Sequence, residues 1–184
     1  MGEYNDIAQM LALLHELQGT DFVRQLKLIT ERREFSPLQS DPQILTVGGE
    51  SGEDYLSLLN AARKAVTHGY RVFLLPNPKG VRTADFIFVR REAYKMYDLK
   101  TVSGTNSIDN RLKESIGQTN RVLLNITTEY NPIAIARNIR RYFMKNPQAI
   151  EVLVYKGLKS ISVLRDETIN GASFFKYFVA KYVQ

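Results

Sequence analysis

Residues 83–101 read TADFIFVRREAYKMYDLKT, and this stretch decides which fold we expect. Two runs rich in apolar and aromatic side chains flank residues 90–93 (RREA), three of which are charged, and this is typical of two antiparallel strands joined by a tight turn. Asp85 lies at the mouth of the first strand. Asp98 and Lys100 lie two residues apart on the second strand, so their side chains project from the same face. The hairpin therefore predicts two carboxylates and one ammonium group close together.

Helices and short strands alternate on both sides of this hairpin. Apolar residues at three- and four-residue spacing predict helices, and short β-branched or aromatic runs predict strands. Upstream we expect a helix at 52–68, with Ser51 as its N-cap, and a strand at 70–75. Downstream we expect helices at 107–119, 133–146 and 172–183, and strands at 121–127, 150–155 and 159–164. This order predicts an α/β fold with a mixed sheet and an α-β-β-β-α-β core.

The first 44 residues read as a separate helical segment. Apolar residues between Ile7 and Leu17 form one helical stripe, Gly19 is expected to end that helix, and Asp21 to cap a second one. Residues 36–54 contain several prolines and glycines and read as a connector. We therefore place a domain boundary near residue 45, with N-terminal helices at 1–44 and the main domain at 45–184.

The composition of the 184-residue chain excludes several classes of site and favours one class of partner. Lys and Arg number 25 against 19 Asp and Glu, so the net charge is +6 and an anionic partner such as nucleic acid is favoured. The absence of cysteine excludes disulfides, thiolate metal sites and a cysteine nucleophile. With only two histidines, any bound metal must rely on carboxylates. No apolar run approaches the length of a membrane span, so we expect no membrane partner.

The carboxylates of the hairpin suit a divalent cation. Neighbouring carboxylates repel each other, and a cation held between them relieves the repulsion. Hard oxygen ligands favour Mg²⁺ or Mn²⁺, and an adjacent lysine can position a water or neutralise charge on a phosphate. The alternative is that Asp98 and Lys100 form an ordinary ion pair on the polar face of an exposed hairpin.

The order of these parts resembles the PD-(D/E)xK nuclease superfamily, which has an α-β-β-β-α-β, restriction-endonuclease-like core. Ala84-Asp85 stands where that superfamily has Pro-Asp, and Asp98-Leu99-Lys100 stands where it has (D/E)xK. Alanine replaces proline, but the carboxylate is retained. The resemblance covers roughly residues 50–128, and the strands within 150–164 are a plausible extension of the sheet.

A closer likeness is to the C-terminal nuclease domains of contact-dependent growth inhibition toxins and their mobile-element relatives. Its elements are the strand GYRVFLLP at 69–76, the sequence DLKT at 98–101, the serine-containing loop at 103–107, and a helix ending in Gln118 before an apolar strand. The resemblance implies a nuclease that acts on RNA or DNA, with tRNA a leading candidate. It also implies an immunity protein as partner, and action in the cytoplasm after delivery within a larger secreted toxin.

The same resemblance implies roles for individual residues. Asp85 and Asp98 would bind Mg²⁺ or Mn²⁺, together with an acidic residue at the start of the first core helix. Glu53 is our choice for that third ligand, with Glu50 and Asp54 as alternatives, although acidic residues at a helix N-terminus also favour the helix dipole without any metal. Lys100 would activate the attacking water, and Gln118 would hold that water or a phosphate oxygen.

Basic and hydroxyl side chains around these residues are candidates for phosphate contacts. They are Lys79, Arg82, Thr101, Ser103, Arg111 and Arg121. The predicted helix at 133–146 carries a further basic cluster, although a run of charge is also normal for a solvated helix face. Two other functions stay open: a non-catalytic nucleic-acid-binding or interaction domain that retains the nuclease fold, and a structural protein of a phage or mobile element.

Overall fold

The computed structural model describes residues 3–48, 52–77, 82–104 and 108–184. The chain divides into two compact units, the first ending at Tyr97 and the second beginning at Asp98. This division falls within one strand, β5 (Ala93–Val102), whose first part belongs to the first unit and whose last part belongs to the second. The domain boundary expected near residue 45 stays a prediction.

The first unit combines a mixed sheet with helices. Its elements are α1 (Glu3–Leu13), a 3₁₀ turn (Leu14–Glu16), α2 (Gly19–Thr30), β1 (Ser36–Pro37), β2 (Ile44–Thr46), α3 (Glu53–Thr67), β3 (Arg71–Leu74) and β4 (Phe86–Arg90). Each strand pairs with the next one along the chain. The β2–β3 pair is parallel, whereas β1–β2, β3–β4 and β4–β5 are antiparallel.

The second unit is a parallel sheet with one antiparallel edge strand. After β5 come α4 (Ile108–Glu114), β6 (Arg121–Ile126), α5 (Pro132–Lys145), β7 (Glu151–Lys156), β8 (Lys159–Leu164), α6 (Arg165–Ile169) and α7 (Phe174–Val183). The last part of β5 pairs parallel with β6, β6 pairs parallel with β7, and β7 pairs antiparallel with β8. The chain order from α3 to β6 is α-β-β-β-α-β, so the predicted fold class is confirmed.

Each unit has its own hydrophobic core. In the second unit, alternate residues of β6 and β7 pack against α5 and α7, and the buried side chains include Leu124, Val154, Ile139 and Phe178. In the first unit, the apolar stripes of α1 and α2 share a core with β3, β4 and β5. The burial of these stripes explains the helical periodicity that the sequence shows before residue 30.

The start of α2 differs from the prediction. Gly19 begins this helix instead of ending the previous one, and Gln18 occupies the N-cap position expected of Asp21. Gly19 has φ +57°, a left-handed conformation that glycine adopts without steric cost and that redirects the chain into α2. Asp21 lies in the first turn, where its carboxylate accepts a hydrogen bond from Arg24 at 3.1 Å.

Three other elements depart from the sequence prediction. The connector at 36–54 contains β1 and β2, and Ile44 and Leu45 of β2 are buried. Helix α4 ends at Glu114 instead of near residue 119. Helix α6 was not predicted, because its five residues are too few to show a helical period. Ser51, the predicted cap of α3, lies outside the described residues.

Candidate active site

Asp98 and Lys100 form an ion pair on β5. The Nζ atom of Lys100 lies 3.3 Å from Oδ2 of Asp98, which confirms that the two side chains share one face of the strand. Asp98 is only 1% exposed, although it carries a charge. A buried carboxylate loses its hydration and needs compensating partners. The alternative of an exposed surface pair is therefore wrong.

The face that carries Asp98 is the one covered by helices in the second unit. Asp98 and Lys100 alternate along β5 with Leu99, and the next residue on their face, Val102, is part of the core beneath α4 and α5. Asp98 is in register with Val122 of β6, which belongs to the same core. The depth of Asp98 thus follows from the packing of helices over its strand.

Two hydroxyl groups lie in this environment. Burial raises the pKa of the Tyr142 phenol above its ordinary value; a hydrogen bond with Ser115 opposes this shift, and the negative charge of Asp98 adds to it. Ser115 also donates to the carbonyl oxygen of Leu112 at 2.7 Å. Sequence analysis missed both residues, although the seven-residue spacing from the buried Ile135 to Tyr142 placed the tyrosine on the inner face of α5.

The backbone of Asp85 is held on both sides within the first unit. Its amide donates to the carbonyl oxygen of Tyr97 at 3.0 Å, and its own carbonyl accepts from the amide of Leu75 at 2.9 Å. Asp85 is half-buried and directly precedes β4. These contacts fix the position of the residue in the ladder between β3 and β5.

The third predicted metal ligand lies at the edge of the described structure. Glu53 is the first residue of α3, and its side chain is not among those described. Glu50 lies outside the described residues, and Asp54 is exposed. Among the side chains that are described, no group of three or more His, Asp or Glu residues is arranged to hold a metal ion. The set of Asp85, Asp98 and Glu53 stays a prediction, and its carboxylate chemistry fits Mg²⁺ or Mn²⁺.

Gln118 does not end a helix as predicted. Beyond Glu114 the amide groups of Ser115, Ile116 and Gln118 bond to carbonyls three residues earlier, so the chain forms tight turns. Gly117 adopts φ +85°, which terminates the helical path. The Gln118 side chain is half-buried, and its Nε2 atom donates to the carbonyl oxygen of Glu114 at 3.4 Å.

The predicted phosphate-binding residues occupy different environments. Arg121 forms an ion pair with the buried Glu151, and Arg111 pairs with Glu114 at 3.3 Å, so carboxylates within the second unit already compensate both guanidinium groups. The remaining residues are Arg82 and Ser103, which are exposed, Thr101, which is half-buried, and Lys79, which lies outside the described residues. The proposed contacts of all six residues with phosphate stay predictions.

No helix among the residues that the structure describes is long and apolar enough to cross a membrane.

Comparison with known proteins finds one matching family model and one similar solved structure. Residues 82–168, slightly less than half of the chain, match the model of the family described as Contact-dependent growth inhibition CdiA C-terminal domain. Among solved structures, the chain is similar to a CdiA-CT/CdiI toxin and immunity complex from Burkholderia pseudomallei. The identity is 17% and the TM-score 0.45, and the match covers 64% of this chain and 92% of the other. No curated protein shows a significant match. The family match thus covers the segment that contains Asp85, Asp98 and Lys100.

Proposed function

We propose that this protein is a metal-dependent nuclease that acts as a toxin domain. The observation that carries the proposal is the buried Asp98–Lys100 ion pair, 3.3 Å long, within the segment matched by the toxin-domain family. Charged pairs at such depth are a poor way to gain stability, because desolvation offsets their attraction. Residues held at that cost are frequent at functional sites. The α-β-β-β-α-β order, which is the core order of PD-(D/E)xK nucleases, further supports the proposal.

Each residue of the site has a role in phosphodiester hydrolysis. Asp85, Asp98 and Glu53 would hold one Mg²⁺ or Mn²⁺, and that ion would supply the positive charge that activates water and neutralises the phosphate. Lys100 orients the attacking water and stabilises the negative charge that develops during attack. Because its side chain is 13% exposed, Lys100 is less deeply buried than Asp98, as a residue that meets a substrate requires.

The substrate class follows from charge and resemblance. A basic chain with this site fits nucleic acid, and we propose RNA, with tRNA the first substrate to test, ahead of DNA. Thr101, Ser103, Arg82, Lys79 and Gln118 are the residues proposed to contact the backbone or the water. We propose that this domain is delivered as part of a larger secreted toxin, which the family match supports. We also propose that an immunity protein neutralises it.

A cleavage assay tests the proposal. The full chain is incubated with total tRNA, single-stranded DNA and duplex DNA in Mg²⁺, Mn²⁺ or EDTA, beside Asp98→Asn and Lys100→Met. We expect metal-dependent cleavage by the wild type and at least about 100-fold slower cleavage by both variants, because each removes a group that acts on the reacting phosphate. Glu151→Gln is the matched control, because Glu151 is a buried, ion-paired acid of the same unit that has no proposed catalytic role.

The control should cleave at close to the wild-type rate. The proposal fails if the wild type cuts none of the substrates in either metal, or if Asp98→Asn cuts as fast as the wild type. Binding of nucleic acid without cleavage would instead support the alternative of a non-catalytic binding domain.

A further inference from the structure

The positive charge of this protein is concentrated in the second unit. Asp98–Gln184 contains 13 Lys and Arg against 7 Asp and Glu, a net charge of +6, whereas the residues up to Tyr97 contain 12 of each. The whole excess of the chain therefore lies in one half. Such an asymmetry indicates that this half meets an anionic partner.

Helix α5 presents the densest group of these charges. It contains four basic residues and no acidic residue, and all four are exposed. They are Arg137, Arg140, Arg141 and Lys145, which we call the α5 basic face. The apolar residues of the helix point the other way, since Ile135, Ile139 and Phe143 are fully buried in the core. Packing thus fixes the basic face toward solvent.

Few carboxylates compensate the α5 basic face. Asp109 of α4 lies 3.9 Å from Arg141, and it is also bonded to Lys113 at 3.0 Å. Lys113 first, and Arg141 and Lys145 in addition, hold the pKa of Asp109 below its ordinary value. In the described parts of the chain, no carboxylate forms an ion pair with Arg137, Arg140 or Lys145. The single carboxylate of Asp109 therefore compensates only part of the charge of several cations, and the α5 basic face keeps a net positive charge.

The spacing of the basic residues along α5 lowers the stability of the helix itself. Arg137 and Arg141, and Arg141 and Lys145, are four residues apart, which puts like charges side by side and destabilises a helix. A helix face that only needs solubility usually mixes acidic and basic residues. Arg140 is held in place because its guanidinium lies 5.6 Å from the centre of the Phe175 ring. The face is thus a row of exposed like charges, of which Arg140 also contacts an aromatic ring.

We propose that the α5 basic face binds the phosphate backbone of a nucleic acid. Residues four apart on a helix rise by about 6 Å, so Arg137, Arg141 and Lys145 present cations at regular intervals along α5. Neutralisation of several phosphates by such cations is the main source of affinity for nucleic acid. A membrane surface fits less well, because the exposed apolar residues of α5, Ile133 and Met144, lie at opposite ends of the helix and form no stripe that could insert into lipid. None of these residues takes part in the proposed cleavage, so this binding face goes beyond that proposal.

The test measures the salt dependence of binding in EDTA, where metal-dependent cleavage cannot occur. Fluorescence anisotropy follows labelled tRNA and a labelled DNA duplex with the wild-type chain and with Arg137→Gln/Arg140→Gln/Arg141→Gln/Lys145→Gln. We expect the variant to bind at least about tenfold more weakly at low salt. The slope of log K against log salt should fall by roughly 3, since each phosphate contact contributes about 0.7 to 0.9.

A control variant carries the same change of charge on the first unit. Arg24→Gln/Lys27→Gln/Arg33→Gln/Arg91→Gln removes three arginines and one lysine, all exposed, and should bind within about twofold of the wild type with an unchanged salt slope. Circular dichroism and the melting temperature confirm that both variants fold.

Three results would overturn the inference. The first is an α5 variant that binds nucleic acid with the affinity and salt slope of the wild type. The second is a control variant that loses as much affinity as the α5 variant, which would mean that net charge alone determines binding. The third is loss of binding to phosphatidylserine vesicles without loss of nucleic-acid binding. The two proposals can fail separately. If the wild type binds nucleic acid but never cleaves it, and the α5 variant binds it weakly, the α5 basic face is supported and the proposed nuclease is contradicted.

Discussion

The proposed role of Asp98 would come at the expense of stability. Its carboxylate is 1% exposed and depends on Lys100 and on the polar groups around it. Removing one partner of a buried ion pair leaves the other charge uncompensated, whereas replacing both by neutral groups is often tolerated. Stability measurements can therefore show whether the Asp98–Lys100 pair adds to the free energy of unfolding or lowers it.

We expect Lys100→Met to lower the free energy of unfolding by roughly 3 kcal/mol, and Asp98→Asn/Lys100→Met to recover most of that loss. Urea unfolding in EDTA measures both. Lys156→Met is the control, because the Lys156 ammonium pairs with the exposed Glu129 at 3.3 Å, and its loss should cost only about 1 kcal/mol. A double variant less stable than Lys100→Met would contradict this interpretation.

Tyr142 offers a pH-dependent test of the same environment. Its pKa is raised by burial and further by Asp98, so it lies above the value of about 10 expected in the unfolded chain. The unfolded state therefore loses this proton first, and the stability contributed by Tyr142 is complete below about pH 10 and lost as the pH rises through the folded-state pKa. The melting temperature of Tyr142→Phe should fall less steeply above pH 10 than that of the wild type.

The role of Asp98 in this shift can be isolated. Asp98→Asn should lower the raised pKa of Tyr142, which absorbance at 295 nm follows as the phenolate forms. Tyr182 is the matched control, since burial and the charge of Glu129 raise its pKa. Subtracting the titration curve of Tyr142→Phe from that of the wild type reports Tyr142, and Tyr182→Phe reports Tyr182 in the same way. If Asp98→Asn shifts the pKa of Tyr182 as much as that of Tyr142, the assignment to Asp98 is wrong.

The sequence predicts some properties of the site residues and not others. The shared face of Asp98 and Lys100 follows from the two-residue repeat of a strand, and the 3.3 Å ion pair confirms it. Their depth does not follow, because it depends on α4 and α5 packing over β5, which no local pattern encodes. The prediction that Gln118 ends a helix was wrong, because Gly117 adopts a left-handed conformation and α4 ends at Glu114.

Among the secondary-structure elements, the β4–β5 hairpin has an unusual turn. Arg90 and Ala93 pair across it, and the two residues between them, Arg91 and Glu92, have φ +48° and +55°. Two positive φ values match the twist of a two-residue hairpin, where Asn-Gly is strongly preferred. Side chains with a Cβ pay a steric cost in this conformation, so the turn is strained.

Relieving this strain should stabilise the protein. Arg91→Asn/Glu92→Gly is expected to raise the free energy of unfolding by about 1 kcal/mol, or the melting temperature by about 2–4 °C, as measured by thermal denaturation. Arg91→Ala/Glu92→Ala removes the same charges but keeps a Cβ at both positions, so it should give no such gain. An equal rise in the alanine variant would show that charge, not backbone conformation, limits the turn.

Elements with strong local signals were predicted well. Helix α5 has Pro132 in its first turn and buried residues at helical spacing, and the side chain of Asn131 caps it by accepting from Ile133 at 2.9 Å. Strand β2 was missed because a run of three residues between prolines and glycines has too little pattern to distinguish it from a loop. Its pairing with β3, distant in the sequence, creates the strand.

At the scale of the whole molecule, charge and chemistry are distributed differently along the chain. The net positive charge lies entirely in Asp98–Gln184, which also contains Asp98 and Lys100, whereas Asp85 and Glu53 belong to the part that ends at Tyr97. Composition alone showed a modest excess of six charges. This excess becomes strong evidence for nucleic-acid binding only when the fold is known. The fold assigns the whole excess to one unit and places four basic residues of that unit on one helix.

Metal binding is a property of the folded chain, so it should appear as a rise in overall stability. A ligand that binds only the native state stabilises it by about 2.7 kcal/mol when its concentration is 100 times the dissociation constant. For a chain of this size that corresponds to a rise of roughly 5–10 °C in melting temperature. We therefore expect saturating Mg²⁺ or Mn²⁺ to raise the melting temperature of the wild type, and EDTA to reverse the rise.

The variants locate the ion. Asp98→Asn should abolish the metal-dependent rise, because it removes a proposed ligand, while Glu151→Gln should keep it, because the buried carboxylate of Glu151 pairs with Arg121 and is not a proposed ligand. Glu53→Gln and Asp85→Asn should each shift the midpoint of the metal titration to higher concentration. If the wild type shows no rise in either metal, or if Asp98→Asn and Glu151→Gln respond alike, the carboxylates of Asp85, Asp98 and Glu53 do not form the metal site, and the nuclease mechanism loses its foundation.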